Sequence, residues 1–162
     1  MAPRKYQADN LTKAFFIAVR LREEMLGIGF TDNGGAIHSA ERIVNLLGLA
    51  LNHANISHIN NLKLDESAEW SEAAYAARAR KEELQIEHVS PLRALTRGAI
   101  KHIKDVPEDR KAESLQKFVK ENYRLALLTR DETAKLNKHN RSKMTADRLG
   151  EAGIKMRPRN SA

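Results

Sequence analysis

The sequence predicts a mainly α-helical chain with one small two-stranded β element. Apolar residues recur at helical spacing over most of the 162 residues. Only two short stretches, 84–90 and 124–129, read as strands, and each would need the other as its partner.

The first helix spans Thr12 to about Leu26, with Leu11, Phe15, Ala18, Val19 and Leu26 on one stripe and Arg20, Arg22, Glu23 and Glu24 largely off it. Residues 1–10 read as a short basic arm. Gly27 and Gly29 end the helix, and Thr31-Asp32-Asn33-Gly34-Gly35 is a turn without phosphate-loop spacing. A second helix follows over Ala36–Asn52, carrying Ile37, Ala40, Val44, Leu47 and Leu51 inward. Residues 52–61 are a polar connection, and the spacing of its His53 and His58 misses the i, i+4 step that puts two ligands on one helix face. A third helix, opened by Asp65 or Ser67 and reaching Glu83, would turn Trp70, Ala73, Ala74 and Ala77 inward.

Leu84-Gln85-Ile86-Glu87-His88-Val89-Ser90-Pro91 alternates apolar and polar residues and delivers an acid and a histidine to a strand end. Ser90 is placed to cap a helix with Pro91 in its first turn. Helices are predicted over Pro91–Lys104 and Pro107–Glu121. Arg124–Thr129 then reads as a buried strand. Thr129-Arg130-Asp131-Glu132 has capping-box spacing and starts a helix through about Lys138. The remainder is strongly basic, with one more helix near Thr145–Glu151 stopped by Gly153 and the rest ordering on contact with a partner.

Composition narrows the function classes. A net charge of +7 favours an acidic partner, most simply nucleic acid, DNA ahead of RNA. The 5% aromatic content argues against single-strand binding on stacked aromatic platforms. With no cysteine, disulfides, thiolate zinc sites and cysteine nucleophiles are excluded, which suits a reducing cytoplasm. No apolar run has the length of a membrane span or the form of a signal core.

Glu87-His88-Val89-Ser90-Pro91-Leu92 resembles the opening motif of the HNH, or ββα-metal, nucleases, in which an acid and a histidine precede an aliphatic residue and a proline. Residues 122–132 resemble that family's second strand and the start of its helix, with Leu136-Asn137-Lys138-His139 on it. The resemblance implies an HNH-like ββα core at 84–145, with a helical insertion between its strands, a helical N-terminal part at 1–83 and a basic C-terminal tail at 146–162. It also implies a metal-dependent nuclease. His88 would act as general base on a water attacking a phosphodiester, and Glu87 with Asn137, or alternatively His139, would hold Mg²⁺ or Mn²⁺. Adjacent strand residues point to opposite faces, so Glu87 and His88 share one site only if the strand ends or bends there. The plain alternative for His88 is a strand-end histidine hydrogen-bonded in the core.

Arg93, Arg97, Lys138, Arg141, Lys143 and Arg148 flank the motif and are expected to contact phosphates. Two other readings stand beside the nuclease. One is a non-catalytic nucleic-acid-binding protein with a degenerate nuclease core. The other is a small phage or bacterial regulatory protein that binds another protein. The N-terminal amphipathic helices are a candidate homodimer surface.

Overall fold

The computed structural model describes residues 5–159; residues 1–4 of the expected basic arm, and 160–162, lie outside them. The chain is mainly helical with a two-stranded antiparallel sheet. No helix among the described residues is long and apolar enough to cross a membrane. The fold divides into two compact units, residues 1–57 with 92–123 and residues 58–91 with 124–162. This corrects the expected boundaries at 83/84 and 145/146. The helices between the strands pack with the N-terminal helices, and the basic tail packs with the strands.

The first unit holds α1 (Ala8–Gly27), α2 (His38–Asn52), α4 (Leu92–Ile103) and α5 (Lys111–Asn122). Their apolar stripes meet in one core: Leu11, Phe15 and Ala18 from α1, Ala40, Val44 and Leu47 from α2, Leu95 and Ala99 from α4, Leu115 and Val119 from α5. α1 starts four residues earlier than expected, taking in part of the arm. The 31–35 turn closes on Thr31, whose hydroxyl accepts from the Gly34 amide at 2.9 Å, and Gly35 takes φ 112°. Asp32 in this turn accepts from Arg22 at 2.8 and 3.0 Å and from Arg97 at 3.0 Å.

α2 is the hub of this unit, packing on α1, α4 and α5. The ring of Tyr123 lies on Gly48, and its hydroxyl donates to Asn45 Oδ1 at 2.7 Å. A Cβ at position 48 would sit 2.2 Å from the ring. Glycine is required there by close approach.

The second unit is built around β2 (Leu125–Thr129), which pairs antiparallel with β1 (Leu84–His88) in the register Leu84↔Thr129 to His88↔Leu125. The amide and carbonyl of Leu127 go to the other edge, donating to Glu69 O at 2.8 Å and accepting from Ser71 N at 3.0 Å. Residues 155–157 continue the layer, with Glu72 N donating to Lys155 O and Arg157 N to Trp70 O. β2 is therefore flanked on both edges, and Leu125–Leu128 are buried on both faces. Its unbroken apolar run reflects that position.

This pairing explains a second correction. The helix expected from 65 or 67 to 83 is only Glu72–Arg78 (α3), because the backbone at 69–71 bonds to β2 and to the tail. Ser71 caps α3 by accepting from Ala74 N at 2.9 Å. Trp70 is 1% exposed, a core residue as expected.

Thr129 caps α6 (Arg130–His139) with the full reciprocal box to Glu132. α6 contacts both strands. Leu136 packs with Val89, Ala126, Leu128, Leu149, Ala152 and Ile154. The tail forms α7 (Arg148–Glu151), and Gly153 turns the chain at φ 76°. Through residue 157 it is thus a structural part of the sheet layer rather than a free arm.

Gly48→Ala is expected to destabilise the protein by roughly 1–3 kcal/mol, since the Tyr123 ring must shift. A urea midpoint equal to wild type would show that α2 and the 123 ring separate freely.

Candidate functional site

The second unit places strand, antiparallel strand and helix in the order the motif requires, β1, β2, α6. The acid and the histidine do not share a face. Pairing stays regular to the end of β1, with Glu87 opposite Ala126 and His88 opposite Leu125, so the two side chains alternate. Ala126 belongs to the cluster formed with α6 and α7, and Glu87 is on that side. His88 is on the other.

Asn137 and His139 are both exposed on α6. Two residues apart on a helix, they diverge by about 200°. They do not converge with each other. Among the described residues, no group of three or more histidine or acidic side chains is placed to hold a metal ion.

Arg148 stands beside Glu87 instead. Its Nη1 lies 4.0 Å from the Glu87 carboxylate, too far for a hydrogen bond but close enough for a charge interaction. The same nitrogen donates to His88 O at 2.9 Å and Val89 O at 3.3 Å. Nε donates to Asn140 O at 2.9 Å, and Nη2 reaches Arg141 O at 3.4 Å. One guanidinium thus ties the end of β1 to the segment after α6. Arg148 is 2% exposed. Its expected role as a phosphate contact is corrected, because its donors are bonded to backbone carbonyls inside the unit.

The other predicted basic residues separate into two groups. Arg93 bonds Glu41 and Asn33, and Arg97 bonds Asp32. Both carry carboxylate partners and neither is a free anion donor. Lys138, Arg141 and Lys143 are exposed, and no carboxylate among the described residues lies within ion-pair distance of them. Lys135, which the sequence did not single out, has the same character. Residues 133–146 contain no acid at all.

The segment that presents these cations is fixed. Asn140 receives the Lys143 amide on Oδ1 and donates from Nδ2 to the Lys143 carbonyl, both at 2.9 Å. Arg148 holds the carbonyls of Asn140 and Arg141 from beneath. Asn140 and Arg148 are the residues that sequence reasoning missed in this role. A paired Asn-x-x-Lys turn was readable, but two of the carbonyls that Arg148 bonds, those of His88 and Val89, are far away in sequence.

Burial sets the ionisation. It pushes the His88 imidazole below its ordinary value of 6.5, so the ring is neutral at pH 7. Burial raises the Glu87 carboxyl above 4.5, and the Arg148 charge pulls it partly back. Burial likewise lowers Arg148, which remains a cation.

Comparison with protein-family models, curated proteins and solved structures found no match for this chain.

Arg148→Met is expected to cost roughly 2–5 kcal/mol, because it strips buried carbonyls of their donor and leaves Glu87 without its countercharge. Chemical denaturation measures it; a loss within experimental scatter would sink the clamp. For His88 the sign is set by its depressed pKa. The neutral ring's contribution is present above pH 6.5 and disappears as pH falls through the folded-state value. Thermal melts from pH 7 downward should therefore lose stability more steeply in wild type than in His88→Gln, and equal slopes would contradict a buried neutral ring.

Proposed function

We propose that the chain binds nucleic acid through phosphate contacts made by Lys138, Arg141 and Lys143. The observation that carries this reading is the combination at residues 138–143: exposed cations without carboxylate partners, on a turn fixed by Asn140 and held by Arg148 beside the end of β1. Lys138 lies in the last turn of α6, where a cation also favours the helix dipole. Arg141 and Lys143 lie beyond that turn, so helix stabilisation does not account for them. Point charges of this kind follow a phosphate backbone and carry little sequence information.

A second reading adds hydrolysis. It is favoured by His88, a neutral imidazole at the strand end whose carbonyl shares the Arg148 guanidinium with the basic turn. Such a ring is suited to take a proton from water attacking a phosphodiester. The strand–strand–helix order supports the HNH resemblance in this reading. In this reading the Mg²⁺ or Mn²⁺ of that family would be held by Glu87 with Asn137 or His139, and would polarise the phosphoryl oxygen.

Fluorescence anisotropy with labelled duplex DNA, duplex RNA and single strands tests the first reading. Affinity should fall steeply between about 50 and 200 mM salt. The triple variant Lys138→Glu/Arg141→Glu/Lys143→Glu should bind at least about tenfold more weakly, with a salt slope smaller by about one for each lost phosphate contact. Absence of binding at low salt removes this reading. Incubating the same substrates with Mg²⁺, Mn²⁺ or a chelator separates the second: cleavage that vanishes in His88→Ala sustains it, and binding without cleavage removes it.

A further inference from the structure

Helix α1 carries two apolar faces, and among the described residues only one is buried. Leu11, Phe15 and Ala18 are buried in the first unit. On the adjacent face, Ala14, Ile17, Leu21, Met25 and the C-cap residue Ile28 fall within about 80° of arc. Of these, Ile17 is 60% exposed, Leu21 44% and Ile28 77%. Single exposed aliphatics are ordinary, but a contiguous stripe on one helix marks a contact surface.

The spacing says what kind. Residues 14, 17, 21, 24 and 28 alternate steps of three and four, the seam of two helices packed side by side. Glu24 is the only charged residue in it. At the head of the seam, Tyr6, Asn10 and Ala14 line a groove of about 240 Å³ with Ile43 and Leu46 of α2.

We infer that α1 pairs antiparallel with α1 of a second copy of this chain, about a two-fold axis between Ile17 and Leu21. Ile17 then faces Leu21 of the second copy, and Leu21 faces its Ile17. Glu24 comes to Ala14 and Lys13 of the second copy, making two symmetric ion pairs from side chains that have no ion pair among the described residues. Ile28, the most exposed residue of the stripe, reaches Asn10 and the adjoining groove. A parallel pairing would set Glu24 on Glu24 and Lys13 on Lys13, like charge on like. The antiparallel arrangement alone makes the surface self-complementary, as a two-fold interface requires.

Sedimentation velocity of the full chain, from micromolar to several hundred micromolar, should show a concentration-dependent dimer. Leu21→Glu and Ile28→Glu should each weaken it at least about tenfold, with unchanged circular dichroism and, at concentrations where the wild type is monomeric, unchanged melting, because both positions are solvent-exposed. Lys13→Glu should weaken it, and adding Glu24→Lys should restore it. A monomer at every concentration, or a dimer indifferent to Leu21→Glu and Ile28→Glu, overturns the interface. Failure of the double charge swap to recover association overturns the antiparallel pairing.

Discussion

The second unit depends on a single guanidinium. Arg148 bonds the carbonyls of His88 and Val89 at the end of β1 and those of Asn140 and Arg141 after α6. These carbonyls have left regular pairing, since β1 stops at His88 and α6 at His139. Buried carbonyls without donors are costly, and a five-donor planar cation satisfies several from one position. The charge itself requires a countercharge in a buried site, and Glu87 supplies it at 4.0 Å. The acid of the Glu87-His88 pair therefore has a structural duty that its neighbour lacks. Position 87 holds the clamp's charge, and position 88 presents a neutral ring on the other face.

The chain crosses between its units at 57/58, 91/92 and 123/124. β1 and β2 are thus separated by two helices of the other unit, and neither is stable as an isolated strand. What brings them together is the burial of β2. Its Leu125, Ala126, Leu127 and Leu128 are 2% exposed or less, so every edge and face must be covered. β1 covers one edge, residues 69–71 the other, and α6 with the tail contributes the cluster around Leu136 and Ile154. Residues 148–157 complete a core that the strands alone leave open.

Features governed by local chemistry were legible in the sequence. The capping box at Thr129 and Glu132 fixes the start of α6, and the apolar run at 125–128 announces a buried strand. The helices of the first unit follow from their apolar spacing. Features governed by distant backbone were not. Trp70 and Ser71 lie in a stretch with good helical pattern, yet the Ser71 amide donates to Leu127 O, the Trp70 carbonyl accepts from Arg157 N, and the next amide, Glu72 N, donates to Lys155 O. Arg148 looks like any other arginine of a basic tail; only the carbonyls of residues 88 and 89, about sixty positions earlier, reveal its role.

Net charge was the least reliable guide to which cations lack a carboxylate partner. Arg93 and Arg97 flank the motif in sequence but sit against Glu41 and Asp32, and Arg124 and Arg159 both bond Glu69. Such pairs satisfy each charge locally, so the cation attracts no further anion without displacing its carboxylate. A short run after Thr133, where the sequence contains no acid, keeps its cations outward and without a carboxylate partner among the described residues. Its rigidity matters as much as its charge. A turn held by Asn140 and Arg148 has little conformational entropy left to lose, the condition under which the proposed phosphate contacts would retain more of their electrostatic gain. The same guanidinium that closes the core thus also holds the carbonyls of the basic turn above it, so loss of Arg148 is expected to disturb the core and the turn together.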